Sequence, residues 1–143
     1  MKERELIMQN YGVMDASFKA AGEEVGIRKL VDAFYHEMET LSEGQHIRAM
    51  HKDNLVIIKD KLSLFLMGWL GGPRKYAAKY GGISIPRVHQ HLVIGEQERD
   101  AWLFCMKQAL KYQDYTEDFK VYLIKQLGVP AQRIMQVSQM AHQ

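Results

Sequence analysis

The sequence predicts an all-α fold, and three observations support this prediction. Apolar side chains recur three or four positions apart in several separate stretches, which places them on one face of a helix. No stretch shows the alternating apolar and polar pattern of a strand flanked by hairpin turns. Glycines and prolines fall between the periodic stretches, where they end one helix before the next begins.

The first helices are predicted after residues 1–14, which we expect to form a loosely held N-terminal extension. A short helical segment follows Asp15 and stops at Gly22. The next helix carries Tyr35 at the edge of its apolar stripe. That stripe consists of Ile27, Leu30, Val31, Phe34, Met38 and Leu41.

A loop over residues 42–45 and a turn-like segment ending at His51 precede a third helix. Asp53 or Asn54 can cap its start, because a short polar side chain accepts a hydrogen bond from the first turn. Residues 71–73, Gly-Gly-Pro, end the helix, since proline cannot continue it. Its apolar positions are Leu55, Ile58, Leu62, Phe65, Leu66 and Leu70.

The middle of the chain predicts less regular structure. Residues 74–80 can form a short helix, and residues 81–94 form a long connection of the kind usually kept for function. Pro86 can start one short helix within it, because proline suits the first helical position. A helix is predicted to begin after Gly95. Its first turns carry acidic residues, which interact favourably with the positive end of the helix dipole. The apolar side of that helix consists of Trp102, Leu103, Met106, Ala109 and Leu110.

A last pair of helices is predicted at the C-terminus. Thr116 caps a helix that carries Phe119, Leu123 and Leu127 and ends at Gly128. Residues 129–143 then form a C-terminal extension in which Pro130 begins a further helical segment.

The composition limits which classes of protein the sequence can represent. A chain of 143 residues with 47% apolar residues is expected to form one domain, residues 1–143, with a real core. The 19 basic and 17 acidic side chains leave a formal charge of +2, and no basic stripe favours nucleic acid. No signal peptide and no membrane-spanning run are evident. Cys105 is the single cysteine, so we expect no internal disulfide and a reducing, cytoplasmic location.

His89 and His91 form the most obvious metal-binding pattern. On a helix two residues apart diverge by about 200°, so both imidazoles could not reach one zinc ion there. A strand would place them on one face, but the flanking pattern argues against a strand. One histidine alone can hold a haem iron. The chain has no Cys-x-x-Cys-His, which leaves non-covalent haem, or histidines with a purely structural role.

Five segments, in this order, resemble the group II truncated haemoglobins over roughly residues 11–128. They are Leu30-Val31-Asp32-Ala33-Phe34-Tyr35, Ala49-Met50-His51, Lys61-Leu62-Ser63-Leu64-Phe65-Leu66, Gly68-Trp69-Leu70-Gly71-Gly72-Pro73 and Ile94-Gly95-Glu96-Gln97-Glu98-Arg99-Asp100-Ala101-Trp102-Leu103. The resemblance implies a truncated globin fold, a two-over-two helical sandwich around non-covalent haem b. It also implies three ligand-facing side chains, Tyr35, His51 and Trp102, and a haem pocket lined by Phe34, Ile58, Leu62, Phe65 and Leu92.

The iron ligand implied by the resemblance is His89. This sequence lacks the commoner His-Pro-x-Leu-Arg-x-Arg-His pattern, and alignment on His-Leu would select His91 instead. Counting back from Trp102 selects His89, because a separation of 13 residues resembles the family spacing without an insertion. His91 is therefore the second candidate.

The resemblance also implies a function. Hydroxyl, indole and imidazole donors around dioxygen would slow its release, which suits oxygen, nitric oxide or peroxide redox chemistry with a reductase better than oxygen transport. Arg87, Lys79 and Arg74 are candidates to bind the haem propionates, although each is equally consistent with a solvated surface charge. We expect a monomer or a weak homodimer. A haem peroxidase-like enzyme and a non-haem helical binding module are the alternatives.

Overall fold

The computed structural model describes residues 11–50, 54–82 and 92–142, and all regular secondary structure within these ranges is helical. This confirms the all-α prediction. In chain order the α-helices are α1 (Ala16–Ala20), α2 (Glu23–Thr40), α3 (Gln45–Met50), α4 (Leu55–Trp69), α5 (Tyr76–Tyr80), α6 (Glu96–Leu110) and α7 (Glu117–Ala141), with a 3₁₀ turn at Ser42–Gly44.

Helix α2 is the element on which the others are assembled. Gly22 precedes it with a φ of 82°, a left-handed conformation that glycine adopts without steric cost. Its stripe of Ile27, Leu30, Val31 and Phe34 is 0–1% exposed. Helix α2 packs against both α4 and α6, and α6 packs in turn against α7. Two helix pairs, α2 with α4 and α6 with α7, therefore form the predicted two-over-two sandwich.

Helix α4 begins and ends where the sequence predicts. The Asn54 Oδ1 atom accepts a 2.8 Å hydrogen bond from the Val56 N–H and so caps the first turn. Gly71 follows the helix with a φ of 95°, and a Cβ atom there would collide with the Met14 carbonyl oxygen. The close approach of the N-terminal segment therefore needs glycine at this corner.

Helix α7 corrects the predicted helix end at Gly128, because it continues without a break to Ala141. Pro130 lies inside the helix rather than at the start of a new one. An internal proline costs roughly 3 kcal/mol and a glycine roughly 1 kcal/mol. Burial of apolar side chains after Pro130 offsets this cost. Burying a large side chain such as Met135 contributes about 1.5–3 kcal/mol. The buried face runs through both halves: Phe119, Leu123, Leu127, Ala131, Met135 and Ser138.

Within the described part of the N-terminal extension, residues 11–14, Tyr11 packs against α7, whereas Val13 and Met14 are 53% and 87% exposed. The Tyr11 ring lies with its centroid 5.3 Å from that of Phe119 and 5.0 Å from that of Tyr122, both on α7. The Gly12 N–H donates a 2.8 Å hydrogen bond to Ser17 Oγ. Aromatic contact across the chain therefore holds a segment whose local sequence contains no helix signal.

Asp60 joins three helices through its carboxylate. Its Oδ2 atom accepts hydrogen bonds from Lys79 Nζ at 2.7 Å and Tyr80 Oη at 2.6 Å, and its Oδ1 atom lies 3.1 Å from Arg28 Nη1. The hydrogen bonds from Lys79 and Tyr80, aided by Arg28, lower the pKa of Asp60 to about 2. Helices α2, α4 and α5 thus share one anionic centre.

We expect Asp60→Asn to lower the free energy of unfolding at pH 7 by about 1 kcal/mol, since its partners are partly exposed and screened by water. Because folding depresses the pKa of Asp60, its contribution is present above the ordinary carboxyl pKa and is lost as the pH falls from about 4 towards about 2. Urea unfolding followed by circular dichroism at several pH values measures this. Asp32→Asn, at an exposed ion pair with Lys59, is the control. An Asp60→Asn deficit of equal size at pH 2 and pH 7 would contradict the assignment.

Candidate functional site

The structure brings together three aromatic side chains from two helices. Phe34 and Tyr35 are neighbours on α2, with ring centroids 5.0 Å apart. Trp102 comes from the second turn of α6, and its ring centroid lies 5.1 Å from that of Phe34. Phe34 is fully buried and Tyr35 is 4% exposed, whereas Trp102 stays partly exposed. Tyr35 and Trp102, predicted as ligand-facing donors, thus both contact one phenylalanine.

The Tyr35 hydroxyl is held in its protonated form. Burial raises its pKa well above the ordinary value for tyrosine, and the positive charge of Arg48 on α3 acts in the opposite direction with a smaller effect. A phenol with a raised pKa keeps its proton throughout the physiological range. Tyr35 therefore keeps, in a buried setting, the O–H group that can donate a hydrogen bond.

Helix α4 contributes an apolar stripe. Its regular turn places Ile58, Leu62, Phe65 and Trp69 within about 60° of one another around the helix axis. Ile58 is buried, whereas Leu62, Phe65 and Trp69 pack against the core and yet stay partly exposed. The Phe65 and Trp69 rings are stacked, with centroids 6.2 Å apart. The stripe therefore presents large apolar side chains that the described chain does not fully cover.

These surroundings fit a flat apolar group such as haem. Trp102 lies on the same face of α6 as the fully buried Cys105, Met106 and Ala109, but it remains partly exposed like Leu62 and Phe65 on α4. Haem needs an apolar slot for the macrocycle, and donors beside the iron modulate its ligands. The side-chain types on α2, α4 and α6 meet both requirements.

The candidate propionate cations differ in their surroundings. Lys79 is bonded to Asp60, which projects from α4 on the side roughly opposite the apolar stripe. Arg74 is exposed and lines a cavity of about 310 Å³ together with Ser17, Tyr122 and the stripe residue Trp69. Lys61, which sequence reasoning did not select, lies beside the stripe, three residues after Ile58 and four before Phe65. Its helical register was the signal that could have identified it.

Of the remaining predicted site residues, Leu92 is the one that the structure describes. Leu92 is partly exposed, and its carbonyl accepts a hydrogen bond from Ser138 Oγ. His51, Arg87, His89 and His91 lie outside the described residues, so the roles assigned to them stay predictions.

Cys105 has the surroundings of a packing residue. Its side chain is fully buried on α6. Burial raises the pKa of the Cys105 thiol to about 11, and the carboxylates of Glu37 and Glu43 act in the same direction. A thiol that stays protonated is a poor nucleophile. Cys105 therefore contributes to the core rather than to covalent chemistry.

Comparison with known proteins identifies the family. Residues 16–135 match the model of the family described as bacterial-like globin. The chain is a bacterial-like globin. Membership implies that it binds haem and, at the haem iron, oxygen and other diatomic ligands. Within the described residues, no helix of this globin is long and apolar enough to cross a membrane.

The relatives confirm the resemblance to group II truncated haemoglobins. The group 2 truncated haemoglobin YjbI of Bacillus subtilis (strain 168) is 28% identical over 121 residues, which is 85% of this globin and 89% of the relative. The group II 2-on-2 haemoglobin of Agrobacterium tumefaciens is 30% identical, with a TM-score of 0.76 and coverage of 82% and 92%. A truncated haemoglobin structure from Bacillus subtilis, described as oxygen-avid, is 25% identical, with a TM-score of 0.74 and coverage of 82% and 97%.

Proposed function

We propose that this globin holds haem b non-covalently through His89 and keeps dioxygen tightly with side-chain hydrogen-bond donors. The observation that carries the proposal is the contact of both Tyr35 and Trp102 with one buried ring, that of Phe34, at centroid distances of 5.0 Å and 5.1 Å. One donor comes from α2 and the other from α6, so their relative position is set by the packing of these two helices. Haem, when bound, would supply the iron that binds a diatomic ligand and undergoes redox chemistry.

The donors of the chain account for tight binding. A Tyr35 hydroxyl and a Trp102 indole N–H can each donate one hydrogen bond to a ligand, and the proposed His51 imidazole can donate a third. Each bond contributes roughly 0.5–1.5 kcal/mol, and about 1.4 kcal/mol corresponds to a tenfold change in an equilibrium constant. Ile58 is apolar and buried on α4, so the donors come from other positions. Three donors together contribute roughly 1.5–4.5 kcal/mol and would slow ligand release by about one to three orders of magnitude.

Slow release favours chemistry on the bound ligand over transport. A carrier must release oxygen at a useful rate, and three donors would oppose this. We therefore place the protein in oxygen, nitric oxide or peroxide redox chemistry, supplied with electrons by a reductase, in the cytoplasm. The oxygen-avid description of the Bacillus subtilis haemoglobin is consistent with this proposal. The relatives above are described as haemoglobins rather than peroxidases, so the peroxidase alternative gains no support.

The iron ligand is tested by absorption spectroscopy. We expect purified protein to show a strong Soret band that is lost in His89→Ala and kept in His91→Ala, because only one imidazole binds the iron. The two variants serve as controls for each other, since each removes one imidazole from the same short segment. Loss of the Soret band in His91→Ala alone would show that His91, rather than His89, is the iron ligand. Absence of a Soret band from the unchanged protein after haem addition would overturn the haem proposal.

The donors are tested by the oxygen dissociation rate. We expect Tyr35→Phe and Trp102→Phe each to raise that rate about tenfold in stopped-flow measurements, because each removes one hydrogen bond to the ligand. Tyr115→Phe is the matched control, since it also removes the hydroxyl of a tyrosine packed against the core, here a partly buried one. Its hydroxyl bonds instead to the carbonyls of Ala21 at 2.8 Å and Gly26 at 3.2 Å. Equal rate changes in Tyr35→Phe and Tyr115→Phe would contradict the role of Tyr35.

Lys61 is proposed as a further cation for the haem propionates, because its position on α4 borders the apolar stripe. Its Nζ atom lies 5.3 Å from the centroid of the Tyr80 ring, a weaker contact than the ion pair of Lys79 with Asp60. We expect Lys61→Ala to raise the rate of haem release about threefold, which corresponds to a partly exposed ion pair of less than 1 kcal/mol. Lys79→Ala is the matched control, since Lys79 is bonded to Asp60. Transfer of haem to an excess of apomyoglobin measures both rates. A larger effect in Lys79→Ala would restore the original assignment of Lys79.

A further inference from the structure

The C-terminal part of α7 contacts the chain directly after the two candidate iron ligands. Ser138 is 1% exposed, and its Oγ atom donates a 2.6 Å hydrogen bond to the Leu92 carbonyl. The same Oγ atom accepts a 2.7 Å hydrogen bond from the Ile94 N–H. Leu92 follows His91 by one position and His89 by three. The buried Ser138 hydroxyl therefore bonds both to the carbonyl of Leu92 and to the N–H of Ile94.

The side chains of this segment hold it only weakly. Val93 is 66% exposed, and Leu92 and Ile94 are only partly buried. Within the described residues, the polar contacts of the segment come from Ser138 and, at Gly95, from the Glu98 carboxylate, which accepts a 2.8 Å hydrogen bond from the Gly95 N–H. Glu98 belongs to α6, so Ser138 is the side chain that ties this segment to a different helix.

Ser138 is itself held in a fixed position. Met135, one turn earlier on α7, is 5% exposed and lies in the core face of the helix. Arg99 Nη1 donates a 2.6 Å hydrogen bond to Gln132 Oε1 and lies 3.7 Å from Met135 Sδ. These contacts bind the last turns of α7 to the first turns of α6. The hydroxyl is therefore presented by a helix that the core and Arg99 both fix.

We propose that Ser138 is a positioning residue for the iron ligand. By fixing the backbone at Leu92 and Ile94, its hydroxyl fixes the point from which the chain carrying His89 and His91 departs. The orientation of the ligating imidazole and the retention of haem then depend on the C-terminal extension. Ser138 lies beyond residues 16–135, the part that matches the family model. The inference rests on the proposed ligation of haem by one of these histidines.

The test compares Ser138→Ala with Ser17→Ala in the full-length haem protein. Ser17 is the matched control, because it is also 1% exposed and its Oγ atom also accepts a backbone N–H, from Gly12 at 2.8 Å. We expect Ser138→Ala to release haem to apomyoglobin about tenfold faster, at the low end of effects seen when a partner that orients a metal ligand is removed. We also expect a shifted iron–histidine stretching band in the ferrous resonance Raman spectrum, and neither change in Ser17→Ala.

Ser138→Thr and Ser138→Val form a second matched pair, since the two side chains have nearly the same shape and differ by one hydroxyl. We expect Ser138→Thr to keep the stretching band and the release rate of the unchanged protein, and Ser138→Val to behave as Ser138→Ala. This pair decides the matter if Ser138→Ala does not fold, as judged by circular dichroism.

Three results would overturn the positioning role. They are an unchanged stretching band and release rate in Ser138→Ala and Ser138→Val, equal effects in Ser17→Ala, or equal losses in Ser138→Thr and Ser138→Val. Failure of the underlying haem proposal is distinguishable, because the unchanged protein would then lack a Soret band or an iron–histidine band.

Discussion

The contact of Phe34 with both Tyr35 and Trp102 is the interaction on which the candidate site depends. Phe34 is fully buried on α2, the helix that packs against both α4 and α6. An aromatic pair of this kind contributes about 0.5–1.5 kcal/mol beyond the burial of its area. Its larger consequence is geometric, because it fixes the distance between donors that belong to helices far apart in sequence. A change in the crossing of α2 and α6 would separate those donors.

Different sides of α4 pack in the core, present the apolar stripe and bond to neighbouring helices. One face, with Ser63, Leu66 and Met67, is buried in the core. The neighbouring face carries the partly exposed apolar stripe that suits a macrocycle. Asp60 lies on the same side of the helix as Met67, about two turns earlier, and its carboxylate contacts Arg28, Lys79 and Tyr80. The same helix thereby anchors α2 and α5 while leaving its apolar stripe available to a ligand.

Helix α7 connects stability and function at the C-terminus. Its buried face keeps one register through Gly128 and Pro130, so local helix propensity is overruled by burial. That continuity brings Ser138 to the backbone of Leu92 and Ile94. Had the helix ended at Gly128, no part of the described chain would place a buried hydroxyl on this segment.

The sequence by itself determined the fold class, the helix starts at Asn54 and Thr116, and the apolar stripes of α2 and α4. These features are local, since capping and 3.6-residue periodicity act within a few turns. The order of the motifs also indicated the family, and the resemblance predicted Tyr35 and Trp102 as ligand-facing side chains. Only the tertiary structure decided the continuity of α7, the packing of Tyr11, the engagement of Lys79 by Asp60 and the contact of Ser138 with Leu92. The contacts of Tyr11, Lys79 and Ser138 join residues 19 or more positions apart, and burial or pairing energy outweighs the local signal of a glycine, a proline or a lone charge.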